Sequence, residues 1–171
     1  MHNHLPKKYY FISKLDTNHI DKFSSKITFI YRNYKDILPN LKNILKFRDC
    51  CRKRGNKFLI ANNIKIALKL NLDGIYIPSF NKKTDHLSYS IKKKFIIVGS
   101  AHSLKEIRHK EIQNVQAIFL SSIFKKNKNY LGLNKFKILV KKFNHTFVAL
   151  GGVNKSNFKK LKLTNINEFG G

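Results

Sequence analysis

Short apolar runs recur along the whole chain, separated by polar and basic segments. Most of the runs are almost continuously apolar, which is typical of strands buried on both faces of a parallel sheet. The pattern therefore predicts eight β-strands. Their predicted ranges are Tyr9–Ile12, Ile27–Tyr31, Lys57–Ala61, Gly74–Ile77, Phe95–Val98, Ala117–Leu120, Phe147–Leu150 and a last run near Ile166–Phe169.

Segments between these runs have the apolar spacing of amphipathic helices. Apolar side chains recur three or four residues apart, so one face of each predicted helix is apolar. The positions are Ile37, Leu38, Leu41, Ile44, Leu45 and Phe47, then Ile64, Ile66, Ala67 and Leu70, and later Leu133, Phe136, Ile138, Leu139 and Val140. Strands that alternate with helices in this way predict parallel βα units.

Eight βα units predict an α/β fold, a compact (β/α)8 TIM-type barrel. No linker rich in proline or serine divides the chain, so we expect a single domain over residues 1–171. An open doubly wound sheet is the alternative, but its G-x-G-x-x-G turn does not follow the first predicted strand. The sequence ends at Gly170-Gly171, and the eighth unit is therefore predicted to be truncated.

Neither a membrane span nor a secretion signal is predicted. No apolar run approaches the roughly 18 residues that a membrane helix needs, and Met1–Pro6 lacks the apolar core of a signal peptide. The two cysteines, Cys50 and Cys51, are adjacent, which is poor geometry for a structural disulfide and is not a C-x-x-C metal spacing. We expect a cytoplasmic protein without a membrane partner.

The charge of the chain is strongly positive. Lysine and arginine number 35 against 9 aspartates and glutamates, which gives a formal net charge of +26. Such a charge favours nucleic acid or another polyanion as a partner. However, the lysines are spread along the chain, no nucleic-acid recognition motif is present, and most aromatic residues lie inside the apolar runs. We expect scattered surface lysine rather than a dedicated nucleic-acid site.

Residues that directly follow the predicted strands are the candidates for ligand binding, because (β/α)8 barrels bind ligands at the C-terminal strand ends. These residues are polar, basic and rich in hydroxyl groups, and Asp16 is the only carboxylate close to a strand end. Such a rim suits an anionic, phosphate-bearing ligand and does not suit a paired-carboxylate hydrolase or an all-protein magnesium cage.

The pair Gly151-Gly152 after the seventh strand predicts a phosphate site. Two glycines let the backbone approach a ligand closely, and the N–H groups at the start of a following helix bind phosphate. A plain tight turn is the alternative interpretation.

Ser100 and His102 follow the fifth predicted strand. Ser103 and Glu106 have the spacing of a capping box, so Ser103 is predicted to cap the next helix and Ser100 is left to face a ligand. We interpret His102 as a loop histidine bonded to backbone, with a catalytic base as the alternative.

Several segments together resemble the thiamine-phosphate synthase and thiazole tautomerase family. Their mutual spacing agrees with that family over nearly the whole chain from Tyr9 onward. The segments are Asp73–Ile77, which looks like Asp-Gly-Val-His-Leu; Ile96–Ser103, which looks like a Gly-x-Ser-x-His-Ser segment; Leu120–Phe124 with Leu131–Leu133, similar to Gly-Pro-Ile-Phe and Leu-Gly-Leu; and Val148–Val153, similar to Ala-x-Gly-Gly-Ile.

This resemblance implies a (β/α)8 barrel and a transferase of thiamine biosynthesis. Synthases of the family join thiazole phosphate to hydroxymethylpyrimidine diphosphate, and pyrophosphate leaves with magnesium assistance. Arg32 matches an arginine that holds the diphosphate, and Ser100 matches a serine that contacts the diphosphate and the pyrimidine, so these two are the catalytic candidates. Gly151 and Gly152 match glycines that hold the thiazole phosphate.

Other family positions carry different residue types here. The two magnesium carboxylates fall on Asn62 and Asn81, and an amide oxygen brings no charge to the metal. The resemblance thus implies Mg2+ as the cofactor, while these amides predict weak metal binding. The histidine of the tautomerases falls on Ser122, and the serine-bearing phosphate loop after strand eight lies beyond Gly171.

The basic residues of two loops are also altered. The family's glutamine and lysine after strand two fall on Ile30 and Tyr34, with Lys35 one place along. The Thr-x-Thr-Lys loop after strand six reads Lys126–Asn129. Lys35, Lys126 and Lys128 are therefore the candidate lysines for substrate phosphate.

Three classes of function follow. The first is a divergent thiamine-phosphate synthase in which Lys126 and Lys128 supply charge opposite the diphosphate. The second is a non-catalytic or regulatory relative that only binds a phosphorylated thiazole, pyrimidine or thiamine. The third, a basic nucleic-acid-binding protein, ranks last. The working hypothesis is the first.

Overall fold

The computed structural model describes residues 8–34, 40–154, 156–161 and 169–170. The chain forms two compact units: unit 1 runs to Tyr76 and includes Ile91–Ile96, and unit 2 consists of Ile77–Ser90 and the chain from Ile97 onward. The strands are β1 Lys8–Ile12, β2 Ile27–Tyr31, β3 Lys57–Ala61, β4 Gly74–Ile77, β5 Ile96–Ala101, β6 Ala117–Leu120, β7 Phe147–Leu150 and β8 Phe169–Gly170. The α-helices are α1 Leu41–Lys53, α2 Ile64–Lys69, α3 Leu104–Ile112, α4 Gly132–Lys142 and α5 Phe158–Leu161.

Strand order confirms the predicted fold class. In unit 1, β1, β2, β3 and β4 are hydrogen-bonded in chain order and all run parallel. In unit 2, β5, β6, β7 and β8 do the same. Parallel strands in chain order with intervening helices have the topology of a (β/α)8 TIM-type barrel. The single domain remains a prediction.

Aromatic rings form the core of unit 1 between helix α1 and the strands. Phe29 of β2 contacts Phe23 and Phe47 edge-on, with ring centroids 5.4 and 5.7 Å apart. Phe47 of α1 also packs on Phe58 of β3, at 4.9 Å. Phe29, Phe47 and Phe58 are at most 1% exposed, so α1 packs closely against the strands through Phe47. Leu41 and Leu45, which were predicted to share the apolar face, are only partly buried.

Aliphatic side chains and phenylalanines such as Phe119 and Phe136 fill unit 2. The β6 strand, Ala117–Leu120, is completely buried, as expected for a strand covered on both faces. Phe136 and Leu139 of α4 are buried, whereas Ile138, which was predicted to share the apolar face, is 65% exposed. None of the helices in the described ranges is long and apolar enough to span a membrane.

The structure differs from the sequence-based elements mainly at β5 and in the connection between β4 and β5. Strand β5 extends from Ile96 to Ala101 rather than ending at Val98. All of residues 78–95 are described, and between β4 and β5 they contain one 3₁₀ helix, Asp85–Ser88, and no α-helix. Ile37, Leu38 and Ile166–Glu168 of the predicted elements lie outside the described residues.

Candidate functional site

The Gly151-Gly152 turn after β7 is in direct contact with the loop that follows β6. Gly151 has φ +96° and Gly152 has φ +78°, a region that residues with a Cβ rarely adopt. A Cβ on Gly151 would lie 2.9 Å from the Cα of Ser122, and one on Gly152 would lie 2.8 Å from the amide nitrogen of Lys125. Both positions therefore require glycine for packing as well as for conformation.

Backbone hydrogen bonds fix these two loops to each other. The carbonyl oxygen of Gly151 accepts from the amides of Phe124 and Lys125, at 2.9 and 3.1 Å. The carbonyl oxygen of Leu150 accepts from the amide of Ile123 at 3.1 Å. Residues 123–125, at the start of the loop after β6, therefore hold the predicted phosphate turn in place.

Ser122 organises the loop after β6. Its buried hydroxyl donates to the carbonyl oxygen of Lys125 at 2.8 Å. Its backbone amide donates to the carbonyl oxygen of Asn129, and its carbonyl oxygen accepts from the amide of Leu131, both at 2.8 Å. The tautomerase histidine falls on this position, and the serine here serves the loop backbone. The candidate lysines Lys126 and Lys128 lie between these anchors and are exposed.

The helix behind the glycine turn does not start directly after the two glycines. Helix α5 begins at Phe158 and is described as far as Leu161. Before it, the Oδ1 atom of Asn154 accepts from the amides of Ser156 and Asn157, both at 3.0 Å. Asn157 in turn donates from Nδ2 to the carbonyl oxygen of Gly152 at 2.7 Å. The structure thus supplies an asparagine-capped turn where a helix start was predicted.

Replacing Asn154 with alanine is expected to destabilise the fold by about 1 kcal/mol and to weaken phosphate binding several-fold, because two amides lose their acceptor. Asn40→Ala is the matched control, since Asn40 Oδ1 accepts from the amide of Asn43 at the start of α1 in unit 1. Urea unfolding and calorimetric titration with thiazole phosphate measure the two effects. Equal phosphate affinity in both variants would contradict a site at this turn.

Ser100 lies within β5 rather than after it. It is 3% exposed and is paired with Phe119 of β6. The strand was predicted to end at Val98 because the apolar run ends there, yet pairing with β6 continues through Ala101. The predicted position of Ser100 in a loop is therefore wrong, and its contact with a ligand stays a prediction.

His102 is held by backbone and by a hydroxyl that the sequence did not single out. Its Nδ1 atom lies 2.8 Å from the carbonyl oxygen of Ser121, and because a carbonyl only accepts, Nδ1 carries the proton. The hydroxyl of Ser121 lies 3.1 Å from the same nitrogen. Ser103 caps α3 by accepting from Glu106, and Glu106 accepts from the amide of His102. The predicted cap and the interpretation of His102 as a backbone-bonded histidine are both confirmed.

Arg32 follows β2 in unit 1 and sits over an aromatic ring. Its guanidinium carbon is 4.7 Å from the ring centroid of Phe11, a cation–π arrangement. Phe11 packs edge-on against Tyr76, with centroids 5.2 Å apart. Burial, followed by the neighbouring Tyr76, raises the pKa of Tyr34 above its usual range, while Arg32 acts in the opposite direction. Lys35, the neighbouring candidate, lies outside the described residues.

The residues at the two expected magnesium positions do not suit a magnesium ion. Asn62 is exposed and has φ +60°, a left-handed conformation that asparagine tolerates better than most residues. Asn81 is in the other unit, and its Oδ1 accepts from the amide of Lys83 at 2.8 Å in a local turn. Within the described part of the chain, no three His, Cys, Asp or Glu side chains form a group that could hold a metal ion. Asp16, the carboxylate at a strand end, accepts from the amide of Asn18.

Unit 1 also contains a cavity of about 330 Å³ beside β1. Aromatic side chains, including Tyr10, Phe23 and Phe47, form much of its wall, and Ser13, Lys14 and Asp16 contribute polar atoms. Ser13, Lys14 and Asp16 directly follow β1 and so belong to the predicted ligand-binding rim, whereas the candidates Arg32, Ser100, Gly151 and Gly152 do not line this cavity.

Comparison with known proteins identifies the relatives of the chain. The family profile described as thiamine monophosphate synthase matches residues 26–169. A thiamine-phosphate synthase of Prochlorococcus marinus subsp. pastoris is 29% identical over 127 residues, which are 72% of this chain and 36% of that protein. A thiamine-phosphate synthase from another strain of Prochlorococcus marinus is 32% identical over 116 residues, 66% of this chain and 34% of that protein. The aligned part of the chain thus spans about a third of each of these relatives.

A solved structure shares the fold. The thiamine phosphate pyrophosphorylase from Pyrococcus furiosus superposes with a TM-score of 0.74 at 18% identity, covering 97% of this chain and 85% of that one. The superposition supports the α/β TIM-type fold, and the family profile covers most of the sequence. The chain therefore belongs to the thiamine monophosphate synthase family.

Proposed function

We propose that this protein is a divergent thiamine-phosphate synthase that joins hydroxymethylpyrimidine diphosphate and thiazole phosphate. In this reaction the thiazole ring nitrogen bonds to the pyrimidine methylene carbon, the carbon–oxygen bond to the diphosphate breaks, and pyrophosphate leaves. The observation that carries the proposal is the glycine turn after β7, which is rigidly held by the β6 loop and by Asn157. Family membership supplies the substrate class.

Each candidate residue has a proposed role in this reaction. The Gly151-Gly152 turn binds the phosphate of the thiazole through backbone N–H groups, because glycines allow a turn whose amides can approach phosphate oxygens closely. Arg32 binds the diphosphate, since a guanidinium can pair with phosphate oxygens in a bidentate manner. Lys126 and Lys128 add positive charge as the diphosphate bond breaks. Ser100 contacts the pyrimidine diphosphate.

The direct test is synthesis of thiamine phosphate by the purified protein from the two phosphorylated precursors. Product formation above a blank that lacks protein supports the proposal. Absence of product together with measurable binding of thiazole phosphate would instead support the second candidate, a non-catalytic or regulatory binding protein. The specific observation that favours this second candidate is the presence of amides at positions 62 and 81.

The double variant Lys126→Ala/Lys128→Ala is expected to raise KM for the pyrimidine diphosphate by about tenfold, since two charges opposite the diphosphate are lost. The matched control is Lys141→Ala/Lys142→Ala, which removes the same charge from exposed positions at the end of α4. Steady-state kinetics at fixed ionic strength measure both. A similar rise in the control would show that only the net charge of the protein matters.

Magnesium is expected to matter little for any turnover. Because Asn62 and Asn81 offer no carboxylate, we expect removal of divalent ions by a chelator to change the rate by less than about twofold. The measurement is initial rate with magnesium and with excess chelator. Loss of all activity on chelation would contradict the interpretation of these two asparagines.

The proposal also covers location and partners. We propose a cytoplasmic protein, which is supported by the free thiols of Cys50 and Cys51, as expected in a reducing compartment. Small phosphorylated precursors are its proposed ligands. The expectation that the basic surface is mostly not a nucleic-acid site stays a prediction; any binding to RNA should fall steeply with salt.

A further inference from the structure

The segment between β4 and β5, like the connection between β1 and β2, lacks the α-helix of a regular βα unit. Residues 78–95 form irregular chain around the 3₁₀ helix Asp85–Ser88. A helix would satisfy its own backbone carbonyls, whereas irregular chain that is buried needs other donors. The structure provides these donors from α3 and from the residue that ends it.

Lys110 of α3 is the principal donor. Its side chain is completely buried, and Nζ donates to the carbonyl oxygens of Pro78 and Asn81 at 2.9 and 3.0 Å. Nζ also donates to Oε1 of Gln113 at 2.6 Å. An ammonium group has three N–H donors and no acceptor, so these three oxygens match the protonated lysine.

Gln113 extends the same network. It is 1% exposed, and its Nε2 atom donates to the carbonyl oxygens of Asn81 and Lys83 at 3.0 and 2.7 Å. The Nε2 atom of His86, in the 3₁₀ helix, lies 2.7 Å from the carbonyl oxygen of Gln113, which must accept. The segment is thereby attached to α3 at four of its residues: Pro78, Asn81, Lys83 and His86.

Gly99 of β5 makes room for the lysine. A Cβ at Gly99 would lie 2.7 Å from the Cδ atom of Lys110 and 3.2 Å from the carbonyl oxygen of Ile77. The aliphatic part of Lys110 therefore occupies space that any other residue at position 99 would take. Strand β5 and helix α3 are fitted to each other around this side chain.

We propose that Lys110 and Gln113 are positioning residues, which hold the segment Pro78–Lys83 at the C-terminal end of β4 in the conformation that receives the pyrimidine diphosphate. The proposal rests on the proposed function, in which the glycine turn takes the other substrate. Residues that directly follow barrel strands form the ligand-binding face. Phe80, at the centre of this segment, is 62% exposed.

Lys110→Met tests the proposal because it keeps the length of the side chain and removes the donors. We expect amide hydrogen exchange in residues 78–86 to become about tenfold faster or more. We also expect KM for the pyrimidine diphosphate to rise about fivefold or more while KM for thiazole phosphate stays within about twofold. Gln113→Met removes the two bonds that Nε2 donates and the one that Oε1 accepts. It should show the same pattern with a smaller effect, and it remains informative if Lys110→Met does not fold.

Phe136→Leu is the control, because Phe136 is a fully buried side chain of α4 in the same unit and takes no part in the network. It should lower the melting temperature, but it should not accelerate amide exchange in residues 78–86. It should also not raise KM for the pyrimidine diphosphate while leaving KM for thiazole phosphate unchanged. The same split in this control, or unchanged exchange in both network variants, would overturn the proposal. If the wild type neither turns over nor binds the diphosphate, the proposed function fails and so does the substrate assignment, while exchange still shows whether the network holds the segment.

Discussion

Replacing Gly151 with alanine is expected to lower the free energy of unfolding by about 3 kcal/mol, the sum of left-handed strain and overpacking. Gly151 has φ +96°, and a Cβ there would meet the hydroxyl oxygen, the Cα and the Cβ of Ser122. Ser122 cannot move away easily, because its amide, carbonyl and hydroxyl groups are all hydrogen-bonded within the β6 loop. The strain and the contact therefore both remain in the folded variant.

Gly55→Ala separates these two causes. Gly55 has φ +75°, but the nearest atom to a Cβ there is the Cβ of Ser25 at 4.0 Å, an ordinary contact. This variant should lose only the conformational part, about 1 kcal/mol. Urea unfolding of both variants, with equal m values, measures the difference. Equal losses would show that the close approach of Ser122 to Gly151 costs nothing.

The same geometry changes how the phosphate site can be tested. A bulky residue at Gly152 would not block only the phosphate, because its Cβ would already lie 2.8 Å from the amide nitrogen of Lys125. Loss of binding in such a variant would mix displacement of the β6 loop with obstruction of the ligand. Asn154→Ala avoids this problem, because it removes hydrogen bonds and adds no atoms.

The strands were the most predictable part of the fold. The predicted bounds of β2, β3, β4, β6 and β7 are those of the structure. Their sequences are almost continuously apolar, and burial on both faces leaves few other arrangements for such runs. Strand β5 was underestimated because Gly99 and Ser100 look like a loop, whereas cross-strand pairing with β6 decides their conformation.

The connection between β4 and β5 was not predictable from local sequence. Lys110 has the residue type of an exposed helix position, and lysine is almost never fully buried unless it has partners. Its partners Pro78 and Asn81 are 32 and 29 residues away. Only the missing side chain of Gly99 creates the necessary space, and a glycine in a strand signals close approach without saying what approaches.

For the candidate site, the sequence predicted where residues lie along the chain but not which tertiary contacts they make. Position after a strand is a property of the topology, so the sequence placed the Gly151-Gly152 turn correctly. Hydrogen-bond partners depend on tertiary contacts, so the roles of Ser121, Ser122 and Asn154 in holding these loops were missed. The ligand contacts of Ser100 and Arg32 stay predictions.

The stability that Lys110 contributes is expected to depend on pH between about 8 and 10.5. Burial lowers the pKa of Lys110 from 10.5 to about 8, and Glu106 on the same helix acts in the opposite direction. Between these values the unfolded chain binds one more proton than the native protein. The free energy of unfolding therefore rises with pH across this window, by up to about 3 kcal/mol. Below pH 8 both states are protonated, and the cost of burying the charge is constant.

Comparison with Lys110→Met isolates this effect. Methionine does not titrate, so the difference in unfolding free energy between wild type and variant should shift in favour of the wild type as pH rises from 8 to 10.5. The charged and titratable groups around the network, Glu106 on α3, Lys82, Lys83 and Asp85 in the segment and His86 in the 3₁₀ helix, are present in both proteins, so their contributions largely cancel. Urea unfolding at pH 7, 8.5 and 10 gives the required values. A constant difference would mean that the three oxygens around Nζ keep the pKa of Lys110 at its ordinary value, and a difference that shifts against the wild type would mean that they raise it.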